Sequence, residues 1–316
     1  MRFASFVLLL CLSLAARAQG YEAPGQGYEA RPQGGELGVR YWYSEASTTR
    51  SHNAQGLVPS LGNPTSVLTY EDLKTHALEL YGRKNLPRGL FLKGNAGLGE
   101  TRSGSFDDED FARGQNKFSD TTSTVKGNRL AYFTIDAGKD IVRTQNGAAG
   151  FFVGFSYWAE RLDAYGLVVT VPPPGPADDG RRLADSVPVI SNEVTWQSLR
   201  VGLTSTALLG AGTRITFDGA LIPYARVRDE DSHWLRQSPN DLGQAPNIHI
   251  RGEGYGFQLD LEVRQAIQKN WEVGAGLRYW LLRATDGTRT AVGISVPLSE
   301  LESQRFGLTL GVTRRW

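Results

Sequence analysis

Two short runs of the 316-residue chain carry residue types that can activate water: Phe106-Asp107-Asp108-Glu109-Asp110-Phe111 and Arg228-Asp229-Glu230-Asp231-Ser232-His233-Trp234. In extended backbone a spacing of two puts Asp108 with Asp110, and Asp231 with His233, on one side of the chain. Asp231 can then hold the His233 imidazole in one tautomer and stabilise its charged form while His233 takes a proton from water. Asp108 and Asp110 can anchor that water, and two carboxylates so close raise one another's pKa until one proton is shared. Neither a metal ion nor a nucleophilic side chain is needed. The bland alternatives are solvated acidic loops or a Ca²⁺ site, since a hard cation wants several oxygen ligands. His52, His76 and His249 have no comparable partners and read as surface or lumen histidines.

Such pairs work only if something rigid brings them together, and the rest of the chain supplies alternating strands. From Gly35 onward the hydrophobic period is two, with no sustained helical period. In Trp271-Glu-Val273-Gly-Ala275-Gly-Leu277-Arg-Tyr279 one face is apolar throughout and the other carries Glu272, Gly274, Gly276 and Arg278. Ten such segments fall near 36–48, 67–83, 89–103, 127–143, 148–164, 190–209, 213–228, 248–267, 270–284 and 304–316. Many exceed the length of soluble strands, and an apolar outside over a polar inside is the pattern of a transmembrane barrel. Short turns alternate with long polar loops near 49–66, 104–126, 165–189, 229–247 and 285–303, as periplasmic turns alternate with extracellular loops. The expectation is an all-β chain folded as a ten-stranded antiparallel barrel, with both acidic runs at the outer rim and four strands apart. A soluble secreted β protein would alternate too, but with shorter strands.

Composition agrees. At 40% hydrophobic and 21% charged, with 34 basic and 33 acidic residues, the chain is neither a helical membrane bundle nor a disordered acidic chain, and it shows no basic nucleic-acid footprint. Residues 1–18 read as a signal peptide ending in Ala16-Arg17-Ala18, and they contain the single cysteine, Cys11. Residues 19–35, with the repeated QGYEA, read as a flexible linker, and residues 36–316 as the barrel. Trp42, Trp158, Trp196, Trp271 and Trp280 are expected in an interfacial girdle, and the chain ends in an aromatic, Trp316, like substrates of outer-membrane assembly. Alternation continued from Ile215, Phe217 and Leu221 would aim Asp231 and His233 at lipid, so a bulge is required between Tyr224 and Asp229.

Asp108-x-Asp110-aromatic and Asp229-x-Asp231-x-His233-aromatic, with Ser66-Val-Leu-Thr-Tyr70 opening the second strand, resemble the omptins, ten-stranded outer-membrane endoproteases of Gram-negative bacteria. The resemblance implies that Asp108, Asp110, Asp231 and His233 activate water for peptide-bond hydrolysis. It further implies that Asp229 binds a basic side chain before the scissile bond. It also implies dependence on lipopolysaccharide and no other cofactor, a peptide or protein substrate met at the cell surface, and a monomer in the outer membrane with the site loops outside. Phe111 stands where omptins carry Trp, and the first-strand acid of the basic pocket has no match in register, Glu45 being the nearest. A non-catalytic barrel with a structural, adhesive or surface-binding role is the alternative. Open passage is disfavoured because ten strands enclose little lumen. Lipid A modification would want a hydroxyl beside His233, and Ser232 points the other way.

Overall fold

The computed structural model describes residues 34–173, 182–210 and 212–316; the expected signal peptide and the QGYEA repeats lie outside the described residues. Alternation becomes strand wherever it was read: β1 (Gly35–His52), β2 (Ser66–Asn85), β3 (Leu90–Ala112), β4 (Asn116–Val125), β5 (Asn128–Arg143), β6 (Gly147–Val171), β7 (Arg182–Leu208), β8 (Thr213–His233), β9 (Ile248–Gln268), β10 (Trp271–Ala291) and β11 (Ile294–Arg315). Each pairs antiparallel with its neighbours, and β1 closes on β11 from Glu36–Arg315 to His52–Leu298. β4 and β5 both run against β3, β4 on its upper part and β5 on its lower. They are one stave broken at Lys126-Gly127, where Gly127 takes a positive φ of 73°. The ring of eleven strands thus has ten staves, and closure leaves no edge for another chain to pair with. Most of the rim expected as loop is strand: β3 runs on through Asp110, and β8 through His233.

The outer face carries an apolar belt that includes Leu37, Val39, Leu78, Leu80, Ile135, Val153, Leu221, Leu261, Leu308 and Leu310, all exposed. A continuous band of this kind has to meet hydrocarbon rather than water. Leu310, 60% exposed, lies between Leu308 and Val312 within the belt. Leu310→Arg is expected to destabilise the membrane-inserted barrel by about 2–4 kcal/mol, read from its denaturant midpoint in phospholipid vesicles; an unchanged midpoint would contradict this placement of the belt.

The inner face is charged and filled. Glu79 and Arg278, both fully buried, meet at 2.6 Å, and Arg40 and Tyr132 also donate to Glu79, at 2.5 and 2.8 Å. Arg278 reaches Asp260 at 2.6 Å as well. Above this knot the rings of Trp42, Tyr132, Trp158 and Trp280 pack with Trp280 at their centre, 5.2, 5.2 and 5.7 Å from Trp42, Tyr132 and Trp158. The expected tryptophan girdle is therefore corrected. Trp42, Trp158, Trp196 and Trp280 are buried in the lumen, and only Trp271 of those five is exposed. Parity is the reason: Trp42 shares the inward face of β1 with Arg40 and Ser44. Arg278 stacks 4.6 and 4.9 Å from the Trp42 and Trp280 rings, so a cation and indoles occupy the space a channel would need.

Candidate active site

Just above the belt, one-residue irregularities reverse which residues face inward. On β8 the buried positions run Ala220, Ile222 and then Ala225, Val227, Asp229, Asp231, His233. The extra residue lies between Leu221 and Tyr224, in register with Val201 and Leu199 of β7, slightly earlier than the position required by alternation. It includes Pro223, whose missing N–H suits a break in the ladder. On β2 the shift falls at Glu71–Asp72, with Asp72 at a φ of 51°, and on β3 between Thr101 and Ser103. These put Phe106, Asp108 and Asp110 on the parity of the lumen. On β10 the shift between Ala284 and Asp286 does the same for Arg289, opposite Ile250. Bulges of this type are a common device for aiming side chains at barrel rims.

The re-aimed residues surround a cavity of about 210 Å³ whose lining includes Asp108, Asp110, Asp231 and His233. Both acidic runs therefore converge. Burial, the Asp110 charge and the more distant Asp231 charge push the Asp108 carboxyl up to about 7, against Arg50 and Arg236. Burial also pushes Asp231 up to about 7, against Arg50 and with the help of Asp229. Asp110 is raised by burial, tempered by a hydrogen bond with Ser66 across the β2–β3 register. His233 is driven down to about 3 by burial and then by Arg50, Arg236 and Arg289, so its imidazole is neutral, as a base must be. Its backbone N–H donates to Asn247 Oδ1 at 3.0 Å, while its Nε2 is buried without a partner.

Asp229 is fully buried but does not line the cavity; Arg50 stands in front of it. Arg50 Nη1 donates to both Asp229 oxygens at 3.3 Å, and Nη2 pairs with Asp231 at 2.7 Å. Asn192 Nδ2 donates to Asp229 at 2.7 Å and to Asp231 at 3.1 Å. Asp231 is thus turned toward Arg50 and Asn192. Burial lowers the Arg50 pKa, but Asp231 and Asp229 outweigh it and raise it above its ordinary value. Glu45 faces outward beside Tyr43, and Arg50 is the inward residue near the top of β1.

The lining residues that the sequence reading did not place at the site include four that can carry positive charge: Arg50, His52, Arg236 and Arg289. His52 ends β1 inside the cavity, its pKa lowered to about 3 by burial and Arg289. The even parity of β1, carried beyond Thr48, would have found Arg50 and His52; nothing in the pattern announced the shift that turns Arg289 in. The cavity is accordingly lined by both signs of charge. Among the described residues no three His, Cys, Asp or Glu side chains are grouped to hold a metal ion.

No family model matches the chain, and no curated protein sequence does. Among solved structures it is similar to the outer membrane protease OmpT from Escherichia coli, with a TM-score of 0.74 and 13% identity over 90% of this chain and 97% of that one. It also aligns with the translocator domain of autotransporter NalP from Neisseria meningitidis, at a TM-score of 0.39 and 9% identity over 100% and 98% of the two chains. A third alignment, with the outer membrane protein OprG from Pseudomonas aeruginosa, gives a TM-score of 0.38 and 7% identity over 92% and 100%. The first of these likenesses shows the fold: an outer-membrane β-barrel of the omptin shape.

Proposed function

We propose that the protein is an omptin-like outer-membrane endopeptidase, hydrolysing peptide bonds with water activated between Asp231–His233 and Asp108–Asp110. The observation that carries this is the meeting of all four side chains around one cavity, from strands on different parts of the ring. Neutral His233 takes the proton of the attacking water, and the Asp108–Asp110 pair orients it. The site faces the cell exterior, and lipopolysaccharide belongs in the assay because the omptin resemblance implies it. The decisive experiment is cleavage of a mixed-sequence fluorogenic peptide library by refolded protein with lipopolysaccharide, wild type against His233→Ala. Turnover lost in the variant supports the reading; a folded wild type without turnover sinks it.

Titration offers a second check. With Asp108 and Asp231 both raised to about 7 and both needed ionised, the rate is expected to fall about a hundredfold per pH unit below that point. His233, down at about 3, stays neutral throughout and sets no limb there. Asp110→Asn removes the like charge that raises Asp108, so the Asp108 step moves to lower pH while the Asp231 step stays, and the fall just below 7 slackens to about tenfold per unit. A pH–rate profile of kcat/KM decides it, and a limb as steep in Asp110→Asn as in wild type would break the assignment.

One observation favours a second reading, a non-catalytic barrel with a surface-binding role. Asp231 accepts from both Arg50 and Asn192 through Oδ1, and no hydrogen bond joins it to His233.

A further inference from the structure

We infer that the cleft selects a carboxylate next to the bond it acts on, with Arg50 barring basic side chains from the acid pocket and Arg289 receiving the anion. The inference rests on the endopeptidase reading for the reacting bond, but its recognition step can be measured without turnover.

Arg50 fills the place an incoming guanidinium or ammonium would take. It is 2% exposed, contacts Asp229 and Asp231 through separate nitrogens, and lies 5.5 Å over the Tyr70 ring. With Asn192 on the same two carboxylates, both Asp229 oxygens and Oδ1 of Asp231 already have donors from inside the chain. A basic substrate side chain would have to lie beside Arg50 or displace it, and uncompensated like charge in a buried site is strongly unfavourable.

The other two guanidiniums of the cavity differ from each other. Arg236 is held by Asp241, with Nη2 at 2.6 Å and Nε at 3.0 Å from its oxygens. Arg289 makes no hydrogen bond or ion pair with any described residue; Asp231 and Asp108 act on it only at longer range, and Arg50 and Arg236 repel it. Burial weakens the charge it must nevertheless carry. A planar fork in that condition is satisfied by a carboxylate, which can accept two of its N–H bonds. The carboxylate can belong to an Asp or Glu side chain or to a peptide C-terminus.

The test is fluorescence anisotropy of dye-labelled pentapeptides on the refolded full chain with lipopolysaccharide. Three peptides are C-terminally amidated with a central Glu, Gln or Arg; a fourth has central Gln and a free C-terminus. Wild type is expected to bind the Glu peptide about tenfold more tightly than the Gln and Arg peptides; tight binding of the fourth instead assigns the terminal carboxylate as the recognised group. Arg289→Gln is expected to erase the preference, and Arg50→Gln to bring the Arg peptide level with the Glu peptide. Equal or tighter binding of the Arg peptide by wild type overturns the inference. So does a carboxylate preference unaltered in Arg289→Gln, or no binding of any peptide by folded protein. Should Arg50→Gln fail to fold, wild type and Arg289→Gln still decide. A carboxylate preference without hydrolysis would sink only the catalytic reading, and efficient cleavage at Arg would sink only this one.

Discussion

In Asp108→Ala/His233→Ala, peptide hydrolysis is expected to fall no further than in His233→Ala alone. Removing the base should reduce kcat by about 10²–10⁴, the range that positioned proton transfer contributes. Asp108 acts only by orienting the water that His233 deprotonates, so once His233 is gone Asp108 has nothing left to assist. Groups that act as one unit lose their effects together, not in proportion. Single-turnover rates of the two single variants and the double variant make the comparison. Losses that multiply would show independent roles, and the opposed arrangement of the two motifs around the cavity would then not be a single machine.

Arg278→Ala is expected to be the most damaging single change to stability, about 3–5 kcal/mol for stripping a partner from a buried charge network. Its guanidinium is wholly buried, holds Glu79 and Asp260, and fills the gap between Trp42 and Trp280. Arg161 is the matched contrast. It pairs with Asp163 at 3.1 Å and with Glu193 at 2.6 Å, but on the exposed outer surface above the belt. Arg161→Ala should therefore change stability by less than about 1 kcal/mol. Denaturant unfolding of the two variants in the same micelles tests the pair; similar midpoints would mean that the lumen network adds nothing beyond packing.

Much of the fold was legible because a strand with lipid on one side and charge on the other leaves a period-two signal that cannot be mistaken for a helix. All ten alternating segments are staves, and the broken fourth stave escaped notice only because Gly127 interrupts hydrogen bonding without changing the chain's direction. Strand lengths were less legible. Above the belt both faces meet polar surroundings, as in Asp107 to Asp110, so alternation fades while the ladder continues. Asp108, Asp110, Asp231 and His233 could be singled out because unusual residue types stand at strand spacing. Arg50 needed only the β1 parity carried past Thr48, but Arg289 could not be found, because an isolated arginine near a rim looks solvated until the partner strands are known. The tryptophans misled for a related reason: their number suggested a membrane interface, whereas the parity of Trp42 with Arg40 was the better guide.

The irregular tier at Asp72, Ser103, Gly127, Pro223 and Thr285 also behaves as a frame boundary. In an uninterrupted stave a residue gained or lost would exchange inside for outside in everything on one side of the change, which can include the belt. Here the shift is absorbed at the irregularity of each strand, so the rim can be rewritten without disturbing what lipid sees. One scaffold can thereby carry unrelated rim chemistries, with the tier deciding which letters of each strand are read from within.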